Sequence, residues 1–347
     1  IGIGIGEWRC RADVCQSCSK NQASRKNSTM FQACRRDLAF LLMTCALALL
    51  WSGWYLYCLT DKFTLPPDYT GDSLWYGMVF RTIIEHGSHY QTERLGAPFG
   101  LMLYDFPYFY WTQLGLSRLL AWVTQDPTTL FIGFLLVSSS VTAAASFVAF
   151  RYFGLKIGFA LAAAVIYTNL PFHLLRMPGH VFLSAYYGIP LALLTAYAVT
   201  TGRHRIPLWV ALAAAAICGG SGIYYAALAG AALLFVGIFD GGLGRLAWRR
   251  WLTVFGVLCL SLSANLLPNF AYWSEQGTNP DGFSRTARES ELYGLHPLQL
   301  FLPQSEHIVK PWQDLSKRYA AEGMFGNESM TASLGLVATF GLLAAFG

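Results

Sequence analysis

Charge is the scarcest property of this 347-residue chain, since only 12% of its residues are charged and 54% are hydrophobic. Soluble domains carry roughly 25% charged residues, so the composition excludes an ordinary soluble protein and predicts an all-α integral membrane protein. The net charge of +5 gives no support for a nucleic-acid partner, because the first 29 residues contribute +3 of it.

Cysteine is missing from both long polar segments, residues 59–126 and 273–329. This absence excludes disulfide bonds within those segments, whatever the compartment. Three early cysteines, Cys10, Cys15 and Cys18, have a spacing found in metal and cluster sites. Two interpretations stay open for them, a metal site and a coincidence within an unusual leader.

The first 29 residues lack the run of roughly 7 to 15 apolar residues that a signal peptide needs, and they contain no Met. We expect residues 1–29 to be a non-native or disordered leader and residues 30–347 to form the membrane domain. At the other end, the apolar run 331–347 has no polar flank. This run predicts a chain that is truncated before further helices.

Apolar runs long enough to approach the roughly 20 residues of a membrane-spanning helix recur along the chain. The candidate spans are 38–58, 127–150, 157–175, 180–199, 206–218, 222–239, 252–272 and 331–347. Basic residues cluster at four short connections, at 35–36, 151–156, 203–205 and 245–250. The positive-inside rule places these connections, and the N-terminus, in the cytoplasm.

With that orientation, segments 59–126 and 273–329 become two large extracytoplasmic loops. Interfacial helices are expected at 73–86, as an amphipathic helix on the membrane, and at 108–123, as an interfacial or re-entrant helix. The 206–218 arm is short for a crossing, and a Gly-rich turn, Cys218–Gly222, follows it. The glycines indicate either a turn inside the membrane, tolerated only within protein, or close helix packing.

Three acids in the first loop are candidate catalytic or binding groups. Asp72 is the candidate general base, and its alternative role is to cap the helix that it begins. Asp68 either assists Asp72 or shapes the Pro-Pro-Asp turn at 66–68. Asp105 lies in an apolar surround, where a charge needs a partner, so we expect a functional role or a pair with Arg94 or Arg118.

Cations and aromatic rings supply the other candidate groups. Phosphate or sugar contacts are expected from residues on the outer side, because arginine binds phosphate in a bidentate manner: Arg94, Arg176, His180, Arg285, Arg288, Glu291 and His307. A solvated ion-pair network is the alternative for the loop arginines, and anchoring in the headgroup region is the alternative for Arg176 and His180. Scattered histidines and acids leave a divalent ion, Mg or Mn, open. The aromatic clusters at 104–111 and 270–273 indicate an interfacial belt or a sugar-stacking surface.

A first span followed by a large loop with the motif Asp68-x3-Asp72 resembles the GT-C superfamily of membrane glycosyltransferases. Residues 37–347 are also similar to bacterial multispanning membrane proteins, through Leu-Gly-Ala-Pro-Phe-Gly at 95–100, Ala-Tyr-Tyr at 185–187 and Glu-Leu-Tyr-Gly at 291–294. The family's further C-terminal helices are missing from this sequence, which leaves the acceptor open.

The resemblance implies a hexosyl or pentosyl transferase of the bacterial inner membrane with an extracytoplasmic active face. It implies a polyprenyl-phosphate-linked sugar as donor, an envelope acceptor, contact with membrane lipid, and Asp72 as the base of an inverting displacement. The alternative is a transporter or flippase of a lipid-linked saccharide. Acids in outer loops favour the enzyme, whereas charges within the spans would favour the transporter.

Overall fold

The computed structural model describes residues 35–69, 71–105, 110–200, 206–242, 244, 246–280, 286–287, 289, 294–322 and 332–346. Helices and one two-stranded hairpin make up these ranges. The helices are α1 (Arg35–Leu59), α2 (Gly71–His86), α3 (Trp111–Ala121), α4 (Pro127–Tyr152), α5 (Ile157–Thr168), α6 (Pro171–Arg176), α7 (Val181–Ser184), α8 (Gly188–Ala198), α9 (Leu208–Gly219), α10 (Ile223–Gly242), α11 (Trp248–Gln276), α12 (Lys310–Glu322) and α13 (Gly335–Phe346). A 3-10 turn covers Pro297–Leu300, and the hairpin strands are β1 (Gln91–Thr92) and β2 (Leu101–Met102).

Five helical stretches in the described ranges are long and apolar enough to cross a membrane. They are α1, α4, α5 with α6 (Ile157–Arg176), α10 and α11. The prediction of a helical membrane protein with several spans is therefore confirmed. Helices α8, α9 and α13 are apolar but shorter, at 11 or 12 residues, which corresponds to roughly 16–18 Å at 1.5 Å per residue.

Two predicted spans are interrupted, and proline explains both breaks. The span predicted at 180–199 is instead α7 and α8, separated by Ala185–Tyr187. A continuous helix would bring the ring of Pro190 against the carbonyl of residue 186, whereas Pro190 fits within the first turn of α8. The span predicted at 157–175 breaks before Pro171, where Leu170 is extended, with ψ at 146°, as expected for a residue that precedes proline.

Helix α2 matches the helix predicted at 73–86, but protein rather than lipid covers its apolar face. Tyr76, Val79, Phe80 and Ile83 are all at most 2% exposed. The Phe80 ring packs 5.1 Å from Phe131 and 5.5 Å from Phe134 of α4, measured between centroids. The expectation of a helix lying on the membrane through this face was wrong, because α4 offers an aromatic surface at the same position.

The turn between α9 and α10 is buried where α3 and α11 meet it. A Cβ at Gly219 would lie 2.6 Å from the carbonyl oxygen of Leu258, and a Cβ at Gly220 would overlap the Trp111 indole. Both sequence-based interpretations fit this turn, because α9 is too short to cross a core of about 30 Å and the glycines also allow close packing.

Substitution of Gly220 by Ala should lower the apparent midpoint of thermal unfolding in detergent. The added methyl forces the Trp111 ring to move, and overpacking of this kind typically destabilises by about 1–3 kcal/mol. Gly256→Ala on α11 is the matched control, because nothing lies within 4 Å of its Cβ position. Equal midpoints for the two variants would contradict a packing role for Gly220.

Candidate functional site

A hairpin between α2 and α3 forms one wall of the candidate site. Its strands pair antiparallel, with Gln91 opposite Met102 and Thr92 opposite Leu101. The loop 93–100 that joins them turns at two glycines with positive φ, Gly96 at 74° and Gly100 at 79°. A Cβ at Gly96 would overlap the backbone of Gly100, so the loop closes only because both positions are glycine.

The polar face of α11, defined here as Ser261, Asn265, Asn269 and Trp273, forms the opposite wall. These residues are spaced by four positions, so they follow one side of the helix. Ser261 Oγ accepts from Trp111 Nε1 at 3.0 Å and donates to the Ala216 carbonyl at 2.7 Å. Asn265 accepts from the Trp111 backbone N–H at 2.9 Å and donates to the Gly219 carbonyl at 2.7 Å.

The C-terminal half of this face binds the chain just after the hairpin. The Asn269 side-chain amide donates to the Tyr104 carbonyl, and Trp273 Nε1 donates to the Asp105 carboxylate at 2.7 Å. Asn265, which binds the start of α3, lies 11 residues before the end of α11, or roughly 16 Å along the axis. The first loop therefore enters the helical bundle along α11. Helix α3 begins beside Asn265, well before the end of α11.

A groove of about 500 Å³ opens between the hairpin and the end of α11. Its lining residues are Gln91, Met102, Tyr104, Pro268, Ala271, Tyr272, Glu275 and Gln276. Tyr104 and Tyr272 belong to a continuous stack of three rings that Tyr90 completes. The centroids are 4.7 Å apart between Tyr90 and Tyr104 and 4.8 Å apart between Tyr104 and Tyr272, and the rings are nearly parallel. The two aromatic clusters of the sequence thus meet at this groove, which we call the tyrosine groove.

Asp105 lies next to the tyrosine groove and takes a different partner from those expected. Its carboxylate accepts from Trp273, whereas Arg94 binds Glu85 and Arg118 donates to the Gly87 carbonyl. Two arginines, Arg94 and Arg81, hold the pKa of the Glu85 carboxyl down at about 2. The expected pairing of Asp105 with an arginine is replaced by a neutral indole donor from α11.

Asp72 lies in the first turn of α2 and is exposed. The helix begins at Gly71, so Asp72 lies inside it rather than at the capping position before it. A carboxylate in a first helical turn is favoured by the positive end of the helix dipole. Arg94 binds Glu85, 13 residues further along α2, so Arg94 and Asp72 are about 20 Å apart along the axis. Asp68 is half-buried and takes part in an interaction with another residue.

Arg176 and His180 come together at the interrupted span. Arg176 Nη1 lies 3.4 Å from His180 Nε2, and the guanidinium carbon lies 5.6 Å from the centre of the Phe172 ring. Arg176 is only 8% exposed, and the neighbouring His173 is fully buried. A charge and two imidazoles are thus concentrated where α6 ends.

His307 lines a different cavity from the tyrosine groove. Its pocket, about 410 Å³, is also lined by Pro171, Trp312, Leu336 and Thr339, and its Nδ1 accepts from the Val309 N–H at 3.0 Å. Arg285, Arg288 and Glu291 lie outside the described residues. Within the described ranges, no group of three or more His, Cys, Asp or Glu side chains could hold a metal ion, so a divalent ion stays a prediction.

Sequence reasoning missed the residues that build the tyrosine groove and its support, chiefly Tyr104, Tyr272, Glu275, Asn265 and Asn269. One signal was available, because three polar residues at four-residue spacing interrupt the apolar run of the last long span. Polar residues in a spanning helix commonly face protein or a cavity. Their partners in the first loop, more than 150 positions away in sequence, had no such signal.

His89, at the root of the hairpin, is 1% exposed, and its ring centroid lies 4.2 Å from that of Tyr90. Burial, followed by the charge of Arg118, lowers the pKa of this imidazole from its usual value of about 6.5 to about 4. Between pH 6.5 and 4, the His89 imidazole therefore stays neutral in the folded protein but is protonated in the unfolded chain. The stability that this neutral imidazole contributes is fully present above pH 6.5, and it is lost as the pH falls from 6.5 towards 4.

Replacement of His89 by Gln should flatten the loss of thermal stability between pH 6.5 and 4.5. The shift corresponds to a loss on the order of 3 kcal/mol in wild type, at about 1.4 kcal/mol per pKa unit. Apparent unfolding midpoints in detergent across that range measure it. His86→Gln, at an exposed position on α2, should keep the wild-type profile. An unchanged profile in His89→Gln would contradict the burial of a neutral imidazole.

The chain was compared with protein families, with curated proteins and with solved structures. No protein-family model, no curated protein and no solved structure matches this chain. The resemblance to the GT-C transferases rests on the residues of the first polar loop.

Proposed function

We propose that this chain is a membrane glycosyltransferase that moves a sugar from a polyprenyl-phosphate donor to an extracytoplasmic acceptor. The tyrosine groove carries this proposal, because it combines an aromatic surface with carboxylate and amide groups at the end of a spanning helix. A sugar ring presents apolar C–H faces to an aromatic surface and hydroxyls to polar groups at its edge. Glu275, Gln276 and Gln91 supply such polar groups.

The size of the groove suits a sugar rather than a large protein segment. Small-molecule sites typically enclose about 300–1,000 Å³, and the tyrosine groove measures about 500 Å³. It opens beside Trp273, three residues before the end of α11. A lipid-linked donor would therefore present its sugar where its hydrocarbon chain leaves the bilayer.

The proposed reaction is a single inverting displacement. The acceptor hydroxyl attacks the anomeric carbon, the bond from that carbon to the phosphate oxygen breaks, and polyprenyl phosphate leaves. A carboxylate takes the acceptor proton, which is general-base catalysis. Asp72 has this role by resemblance to GT-C enzymes, and it is exposed. Glu85, which holds the hairpin through Arg94, lies 13 residues further along α2, roughly 20 Å from Asp72. For a sugar bound in the groove itself, the carboxylate within reach is that of Glu275, which lines the groove. Asp105, bound by Trp273, positions the wall of the groove.

Arg94, one of the arginines expected to bind phosphate, has a structural role instead. Arg94 is occupied by Glu85 at 2.6 Å, so it orients the hairpin in this proposal rather than binding phosphate beside Asp72. The location that fits is a bacterial inner membrane with the groove on its outer face, and an envelope glycan, lipid or protein as acceptor. A divalent ion, Mg or Mn, would offset the charge of the leaving phosphate.

Substitution of Asp72 by Asn should abolish transfer in the full-length protein. Loss of a general base typically lowers the rate by about 10²–10⁴-fold, while the similar size of Asn preserves folding. Release of radiolabelled sugar from a panel of polyprenyl-phosphate sugars in proteoliposomes measures it. Asp61→Asn, at an exposed acid of the same loop, is the control and should keep full activity.

Full activity in Asp72→Asn would place the base elsewhere, and loss of transfer in Asp105→Asn alone would move it to the tyrosine groove. Absence of transfer by wild type from every donor would favour the second candidate, a transporter or flippase of a lipid-linked saccharide. The buried Arg176 with His173 and His180 supports that candidate, since transporters place charged residues at broken helices. Translocation would then depend on Arg176 and not on Asp72.

Truncation of Tyr272 to Ala should weaken sugar binding while leaving the chemical step intact. The side chain supplies one end of the tyrosine stack and lines the groove, and an aromatic contact is worth about 0.5–1.5 kcal/mol. KM for the donor or acceptor should therefore rise roughly 3- to 10-fold at nearly constant kcat. Tyr272→Phe keeps the ring and should stay near wild type. A fall in kcat with unchanged KM would remove the groove from substrate binding.

A further inference from the structure

Two clusters of apolar side chains project from the first loop at the end of α2. In the hairpin, Phe99 is 92% exposed and Leu95 is 42% exposed. At the end of α3, Leu119, Trp122 and Val123 are 55%, 82% and 85% exposed, and their spacing of three and four positions places them on one helix face. We call these five residues the apolar rim.

Polar contacts tie both parts of the apolar rim to the same place. Arg94 at the root of the hairpin loop binds Glu85 of α2 at 2.6 Å. Arg118 on α3 donates to the carbonyl of Gly87, which directly follows α2. Both parts therefore flank the end of α2, with Arg81, Arg94 and Arg118 among them.

The start of α4 sets the level of the apolar rim relative to the membrane. Trp122 lies five positions before Pro127, the first residue of a 26-residue apolar helix. The Asp126 carboxylate caps that helix by accepting from the Thr129 N–H at 2.7 Å. The capped end is where the span meets water, because its first N–H groups need polar partners. Trp122 therefore lies at the water–lipid boundary of α4.

We propose that the apolar rim inserts into the interfacial layer of the bilayer, with the hairpin tip and the end of α3 acting as two wedges beside the span. Tryptophan and other aromatic residues favour this layer. The rim lies next to a candidate membrane span, because α4 begins five positions after Trp122, so lipid is the occupant that the structure favours.

The shape of the hairpin loop supports insertion as a rigid unit. Its turn depends on Gly96 and Gly100, whose Cβ positions are blocked by backbone atoms, so Phe99 is held outward rather than folded back on the protein. Burying a phenylalanine side chain in an apolar layer is favourable relative to full exposure to water. Insertion would thus fix the hairpin, and the wall of the tyrosine groove with it, at the membrane surface.

Site-specific photocrosslinking tests the proposal whether or not the chain is a transferase. The full chain, carrying p-benzoylphenylalanine at position 99 or at position 122, is reconstituted in vesicles of phosphatidylethanolamine and phosphatidylglycerol and irradiated. Lipid adducts are then measured by mass spectrometry. Position 93 is the matched control, because Glu93 is exposed at the root of the same loop. All three sites are exposed, so substitution there should preserve folding, which size-exclusion chromatography checks.

Lipid adducts at positions 99 and 122 that are several-fold more abundant than at position 93 would support insertion. Adducts at 99 no more abundant than at 93 would overturn the role of the hairpin tip. Crosslinks from 99 or 122 to peptides of the same chain, or between two copies, in place of lipid would overturn the proposal and assign the rim to a protein contact.

Discussion

Hydrogen bonds from the polar face of α11 are the interactions on which the rest of the structure depends. Where water is excluded, backbone groups outside helices need partners from the protein. Asn265 supplies such partners to the Trp111 N–H and the Gly219 carbonyl, and Asn269 supplies one to the Tyr104 carbonyl. Ser261 and Trp273 add contacts to the Trp111 indole and the Asp105 carboxylate. These bonds attach the first loop along α11.

The tyrosine groove is a product of that attachment. The bond from Asn269 holds Tyr104 against α11, and this contact brings its ring onto Tyr272. The hairpin then closes the other side through Gln91 and Met102. The groove arises at the junction of two elements, neither of which forms it alone, and the residues that support it lie on α11, a candidate membrane-spanning helix.

Local structure was predictable from the sequence, because it follows from patterns within short windows. Helix α2, the short α9, the Gly-rich turn at 218–222 and most long spans matched their predicted positions. The sequence did not predict the interruption at 185–187, because the apolar run continues through Pro190 without a charged residue to mark a break. The pairing of Asp105 with Trp273 joins residues 168 positions apart, and hydrophobic periodicity carries no information about such contacts. Asp72 was placed at the start of its helix, but its distance from Arg94 follows only from the Glu85 contact.

The ion pairs at Glu85 determine how the hairpin responds to its surroundings. Arg94 and Arg81 hold the pKa of the Glu85 carboxyl at about 2, so mild acidification leaves it ionised. Acid therefore leaves this tether intact. Salt weakens it, because the pair is exposed and charges in water are screened over about 8 Å at physiological ionic strength. The ion pairs at Glu85 should therefore weaken as the salt concentration rises, while acidification acts through His89 instead.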